Sequence, residues 1–474
     1  MVFNSISFAV FLPVIFALYW SVPRERLRVR NGILLLGSYY FYACWNWQFL
    51  SLIIASSLVD YYVGNRLMQS KEEQDRKRWL WLSLGFNLAL LGTFKYLGFF
   101  AESFESFLNL LGFKANWVTL KILLPVGISF YTFQTLSYTI DIYRRKINAE
   151  SDWLNFFVFV AFFPQLVAGP IERASSMLPQ FRKVQKFDYQ QFLSGFRLIL
   201  WGLIKKVVIA DNLAYPVDHF YSNPEAYTQP EAWLAVLAFS IQIYGDFSGY
   251  SDIAIGTARL FGFKLVDNFL TPLQAGSLRE FWTRWHISLM NWFRDYIYFP
   301  LGGSREGPSR HARNILLVFF ISGLWHGSNW TFIFFGLMHG LGYLLESRIL
   351  RKWKRYDGWP GWFYMYAVWV FSLILFRSEN IRQAGQAFLT LWAPITDRVP
   401  EIGGMFPHPN IGWYTGASMV LMLIIDQFIR KEEINDLIHS KSSWGQWGIG
   451  LLMVLWLLMC GRFDIAPTFY YFQF

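Results

Sequence analysis

Three of the seven histidines in this chain sit among apolar residues, where an ionisable ring is costly and therefore a candidate for chemistry. His326 lies in Ile321-Ser-Gly-Leu-Trp-His-Gly-Ser-Asn-Trp330, near the outer end of an apolar run that begins at Asn314. A neutral imidazole is cheaper to bury than a charge, so a histidine bonded to a neighbouring helix competes with a catalytic one, and burial favours the catalytic one. Gly323 and Gly327 flank it; small residues there suit either close approach by a substrate or plain helix packing. His286, in Trp285-His-Ile-Ser288, falls on an amphipathic stretch where an interfacial residue with no chemical task is slightly favoured. His339, in Leu337-Met-His-Gly340, reads as a packing residue or a hydrogen-bonded neighbour of the site. His219, His311, His408 and His439 lie among Pro, Asn, Arg or Lys and read as solvated loop residues.

A second polar group interrupts an apolar run at Tyr244-Gly-Asp-Phe-Ser-Gly-Tyr-Ser-Asp252. Its carboxylates, Asp246 and Asp252, need internal partners, and Lys205 and Lys206 are available; a structural ion pair is at least as good a reading as catalysis. The chain has no Walker loop, His-Glu-x-x-His helix or Gly-x-Ser-x-Gly elbow. Its two cysteines, Cys44 and Cys460, form neither a disulfide framework nor a metal-ligand pattern, so no metal is expected.

The elements that must position these residues are membrane helices. Of 474 residues, 54% are hydrophobic, 20% aromatic and 16% charged, against roughly 25% charged in a soluble domain. The net charge of +10 comes in short clusters between apolar runs, which reads as topology and membrane contact, with no nucleic acid as partner. No cleavable signal peptide is evident, and the first apolar stretch reads as a retained helix. Spans are expected near 3–22, 31–46, 48–65, 79–94, 119–143, 191–212, 231–257, 314–330, 331–347, 360–376, 412–429 and 446–462. The fold class is thus an all-α polytopic membrane protein of about 11–12 transmembrane helices, with residues 1–474 as a single domain.

Basic clusters at Arg24–Arg30, Arg66–Arg78, Arg144–Lys146 and Arg348–Arg355 belong to the cytoplasm, whereas Tyr215–Glu231, which has no Lys or Arg, belongs outside with the N-terminus. Trp153 to Pro170 has basic flanks on both sides and contains Pro164 and Pro170, which reads as a re-entrant or broken segment whose freed backbone groups must be buried in protein or line a cavity. Asn268 to Arg313 is aromatic yet carries Arg284, His286, Arg294 and Asp295, which suits a helix lying at the cytoplasmic face. No sequence repeat suggests paired transporter halves, though a transporter stays open as the non-enzyme alternative.

Taken in order, Gly127-Ile-Ser-Phe-Tyr-Thr-Phe-Gln134, Phe163-Pro-Gln-Leu-Val-Ala-Gly-Pro-Ile-Glu-Arg173, Tyr244 to Asp252, Phe281 to Gly303 and Ser322-Gly-Leu-Trp-His-Gly327 resemble the membrane-bound O-acyltransferase family. The nearest branch is the bacterial one that includes alginate O-acetylation proteins and the D-alanyl transfer protein for teichoic acids. The resemblance runs from the opening Met-Val-Phe-Asn-Ser to about Gly342, with core motifs in 120–342.

It implies a catalytic His326 and a second motif histidine at His286, within a tunnel enclosed by broken helices. It further implies an inner-membrane enzyme that acetylates a periplasmic or extracellular polysaccharide such as alginate. The donor would be a cytoplasmic acyl thioester, most plausibly acetyl-CoA, with no tightly bound cofactor. A serine-esterase-like protein outside the membrane would be its partner. Transfer of D-alanine, or acylation of a lipid or protein, are the enzyme alternatives.

Overall fold

A computed structural model describes residues 1–113, 123–352, 356, 358–395, 400–428 and 443–463. Among the described residues the chain is all-α, with helices and turns and no strand. It divides into two compact units: Met1–Tyr189 with Leu260–Leu265, and Gln190–Arg259 with the residues from Val266 onward.

The first unit opens with helices Ile6–Ser21, Leu27–Asn46 and Leu50–Gln69, which match three of the expected spans. The first starts where the Ser5 hydroxyl accepts from the Phe8 amide. The next helix, Glu73–Leu91, outruns its expected span: it passes through a π turn at Gly92–Tyr96 into Leu97–Leu110. Glu102 and Glu105 dilute the apolar run there without breaking the helix.

Helix Ile128–Tyr143 covers the end of the expected span 119–143, whose start at 119–122 lies outside the described residues. Gly127 precedes it at φ 79, and a Cβ there would run into the Leu166 carbonyl, so only glycine meets both demands. Across these helices the buried Asp60 carboxylate accepts from Ser83 at 2.5 Å and Asn87 at 2.8 Å. A polar side chain in an apolar bundle is thereby satisfied from within.

The segment from Trp153 is broken: helices Trp153–Ala161 and Phe163–Leu166 are followed by a turn at 167–169, irregular chain and then Ala174–Phe181. Its interior is buried in protein. The Phe159 carbonyl freed by the break accepts from Gln134 Nε2 at 2.7 Å and Gln165 Nε2 at 2.6 Å, and the Phe163 amide donates to Ser38 Oγ.

In the second unit, helix Tyr189–Leu203 continues through a π turn at Ile204–Ala210 into Asp211–Ser222. The expected loop from Tyr215 is therefore helical to Ser222, and Pro216 lies inside that helix. Gln229–Leu260 follows, then the short Leu278–Arg284 and Ile287–Phe293, then Pro308–His326, Trp330–Arg348, Trp359–Arg377, Ile381–Thr390, Pro409–Phe428 and Ser443–Cys460. By length and hydropathy, Glu73–Leu110 and Trp359–Arg377 are apolar enough to cross a bilayer. Helices such as Leu50–Gln69 and Gln229–Leu260 carry buried carboxylates that lower their hydropathy and are met by partners inside their own unit.

Two loop assignments need correction. His219 is exposed but lies on the last turn of Asp211–Ser222. His311 lies in the first turn of Pro308–His326, half-buried, with Nδ1 2.9 Å from the Tyr298 hydroxyl. Burial, and then the Arg348 and Arg279 guanidiniums, hold its pKa below the usual imidazole range. His408 is an exposed loop residue, and His439 lies outside the described residues.

The hairpin of Pro308–His326 and Trp330–Arg348 is the frame of the candidate site. A Cβ on Gly323 would overlap the Phe332 carbonyl, and one on Gly336 would overlap the Phe319 carbonyl. Two glycines thus let the helix backbones touch. The Asn329 side chain caps the second helix by accepting from the Thr331 amide at 3.1 Å, which leaves His326 as the last residue of the first.

Candidate active site

His326 is 4% exposed at its helix end. Its ring packs against Trp325, Phe335 and Phe376 at centroid distances of 5.0, 5.7 and 5.4 Å. The room left by Gly327 is taken by the Phe332 ring, and Gly323 serves the hairpin contact, so both small neighbours are packing residues.

His286 is equally enclosed, at 1% exposure. It stands between the two short helices with φ 45 and ψ 51, a left-handed conformation that costs a non-glycine residue roughly 1–3 kcal/mol. Backbone bonds on either side hold it there: Leu270 N to Arg284 O and Ile287 N to Asn268 O, both 3.0 Å. Its Nδ1 lies 3.2 Å from Asn268 Oδ1. Phe247 meets the ring edge-on at 4.6 Å, and Trp325 lies 5.7 Å away. The structure therefore brings His326 and His286 against the same indole, that of Trp325, although forty residues separate them in sequence.

His339 is wholly buried one layer away and touches Phe335, the ring that also meets His326. Its Nε2 is 2.8 Å from Ser372 Oγ, whose own proton goes to the Trp369 carbonyl at 2.7 Å. The histidine must then donate to the serine, and Nε2 carries its proton. It is a hydrogen-bonded packing residue, with Trp282 at 4.8 Å on another side.

The two carboxylates of the polar segment are ion-paired as the sequence suggested. Lys205 meets Asp252 at 3.1 Å, and Lys206 meets Asp246 at 2.6 Å. Lys206 also holds Asp211 at 2.7 Å, and the Tyr244 hydroxyl donates to Asp426 at 2.5 Å. Asp211 and Asp426 escaped sequence reasoning because each ends an apolar run, where a carboxylate reads as an exposed terminus. The π turn at Ile204–Ala210 sets both lysines facing helix Gln229–Leu260, whose Gly245 and Gly249 let the backbones approach. Tyr244 then packs on Phe269 and Trp285, so the ion network supports the ring cluster around His286. Among the described residues no group of His, Cys, Asp and Glu could hold a metal ion.

A buried histidine at a helix end and another at the break between two short helices, in an all-α chain with this order of motifs, point to a class. Residues 36–382 match the model of the MBOAT, membrane-bound O-acyltransferase, family, and the chain belongs to that family. The match continues past Gly342, where the sequence resemblance stopped. The protein is accordingly a membrane acyltransferase, which sets the transporter alternative aside.

It is 39% identical over 401 residues to a protein named probable alginate O-acetylase AlgI from Azotobacter vinelandii, covering 83% of this chain and 78% of that one. Peptidoglycan O-acetyltransferase of Helicobacter pylori is 35% identical over 424 residues, 81% of this chain and 78% of the relative. Teichoic acid D-alanyltransferase of Bacillus subtilis is 28% identical over 247 residues, 49% of this chain and 61% of the relative.

Proposed function

We propose that this chain takes an acetyl group from a cytoplasmic thioester, acetyl-CoA, and passes it through the inner membrane for O-acetylation of an extracytoplasmic polysaccharide such as alginate. The observation that carries the reading is the pair of buried imidazoles, His326 and His286, packed against Trp325 in a chain of this family. The names of the relatives that it matches over most of its length support acetyl as the group and a glycan as its destination.

In the proposed reaction His326 is the general base. It accepts the proton of the acceptor hydroxyl as that oxygen attacks the thioester carbonyl, a task open to a neutral imidazole within hydrogen-bond reach. The new C–O bond forms, the C–S bond breaks, and the proton held by His326 passes to the leaving sulfur, so the free thiol and the ester are the products. His286 positions the donor. Apolar walls around the site keep water from the thioester.

The basic loops support a cytoplasmic position for the coenzyme's phosphates and an outside position for the N-terminus. The tunnel then needs to carry only the acyl end of the donor, and the whole chain works as one membrane domain. A serine-esterase-like protein outside the membrane receives the acetyl group or presents the glycan.

Inside-out membrane vesicles from cells expressing the chain, given radiolabelled acetyl-CoA, test the donor and its side. Label entering glycan or a partner protein, and lost when the vesicles are right-side-out, is expected. Label entering only from a D-alanyl carrier thioester would replace the acetyl reading with aminoacyl transfer.

A further inference from the structure

Asn268 opens the aromatic, polar stretch before the site, where an asparagine reads as an ordinary turn residue. In the folded chain it is fully buried, and three groups converge on its Oδ1: the Ser288 amide at 3.2 Å, the Ser288 hydroxyl at 2.9 Å and His286 Nδ1 at 3.2 Å. A backbone amide can only donate, so the atom it meets must be the side-chain oxygen and not the nitrogen. The amide orientation is fixed by that contact. Facing an oxygen already taken as acceptor, His286 Nδ1 carries a proton, and in a neutral imidazole the basic nitrogen is then Nε2.

The amide end of Asn268 reaches Ser251 Oγ at 3.3 Å, which ties this loop to helix Gln229–Leu260. Its carbonyl accepts from Ile287 N, so the residue grips the chain directly after His286 by backbone as well as side chain.

We infer that Asn268 is a positioning residue that fixes His286 as the Nδ1–H tautomer, so that this ring serves the reaction through Nε2 as a hydrogen-bond acceptor. The inference rests on the role proposed for His286. It gives that role a direction: a neutral His286 takes a hydrogen bond from an N–H or O–H of the substrates and does not donate one to the developing oxyanion, for which another donor is required.

The test uses the full chain in detergent with nitrogen-15 histidine and reads the tautomer by NMR, with the His286 signals assigned by their loss in His286→Gln. Acetyl transfer and thermal midpoint are measured on the same samples. The native chain is expected to show His286 protonated on Nδ1. Asn268→Leu, similar in size but without the acceptor, is expected to lose that single tautomer and roughly 10–100-fold in transfer rate, the range seen when the hydrogen-bond partner that orients a metal-bound histidine is removed. Asn268→Asp keeps the acceptor and is expected to restore both the tautomer and most of the rate.

A native signal from the Nε2–H tautomer, or an unchanged tautomer in Asn268→Leu while His286→Gln abolishes transfer, overturns Asn268 and leaves the proposed reaction standing. Full transfer by His286→Gln overturns the role of His286 itself. Should Asn268→Leu fail to fold, the comparison of native chain with Asn268→Asp decides: equal midpoints with transfer lost in the aspartate variant would contradict rescue by an acceptor.

Discussion

Replacing Lys206 by methionine keeps most of the side chain's bulk and removes its charge. In the native chain the ammonium lies 2.6 Å from Asp246 and 2.7 Å from Asp211, and the three side chains are 3–4% exposed. Water cannot take over as the missing cation. Removing one member of a buried ion cluster costs about 3–5 kcal/mol, because the remaining charge has lost the partner that offset its desolvation. Lys205 is turned to Asp252 at 3.1 Å and is committed there. Against a total of about 5–15 kcal/mol for a folded domain, such a loss is severe.

The assay is reversible unfolding in mixed micelles, read by intrinsic fluorescence, with membrane levels followed in parallel. Lys206→Met should lose about 3–5 kcal/mol. Adding Asp246→Asn and Asp211→Asn should recover more than half of it, because uncharged groups of similar shape need no counterion. Arg310→Ala is the control: it breaks an exposed pair with Glu306 and should cost about 0–1 kcal/mol. If Lys206→Met costs no more than that control, or the neutral triple variant is worse than the single one, the network is not the buried ion cluster described above.

Other consequences follow from single contacts. Ser372→Ala leaves the His339 Nε2 proton buried without its acceptor and should cost about 1–3 kcal/mol in the same assay; His339→Phe should cost less than that if shape dominates. Gly323→Ala pushes a methyl group into the Phe332 carbonyl and should destabilise the hairpin by about 1–3 kcal/mol, with acetyl transfer falling alongside as His326 shifts.

His311 has a folded-state pKa below its unfolded one, so folding resists its protonation. The stability it brings is present above the normal imidazole range, about pH 6.5, and is lost as pH falls through the lower folded value. Thermal midpoints measured from pH 7.5 downward should therefore drop less steeply in His311→Gln than in the native chain, and identical slopes would count against the assignment.

Long apolar runs made the helices legible. Expected spans 48–65, 231–257 and 360–376 became Leu50–Gln69, Gln229–Leu260 and Trp359–Arg377, with ends displaced by a few residues. What was missed lies where polarity and helicity part company. Leu97–Leu110 carries two glutamates, Asp211–Ser222 contains a proline, and Ile381–Thr390 is too polar and short to register as a span. The paired lysines and aspartates were readable because charges in an apolar run demand each other. Asn268 was not, because its meeting with His286 depends on a backbone reversal and a left-handed residue, and neither leaves a mark in residue type or spacing.

The central claim is that His326 moves the proton during acyl transfer. Extracellular glycan O-acetyl content in a deletion strain, complemented with the native chain or with His326→Ala at matched membrane levels, tests it most directly. The account predicts that native protein restores the ester and the variant leaves it at the deletion level. Full restoration by His326→Ala would make that histidine a packing residue among Trp325, Phe335 and Phe376 and would contradict the proposed mechanism.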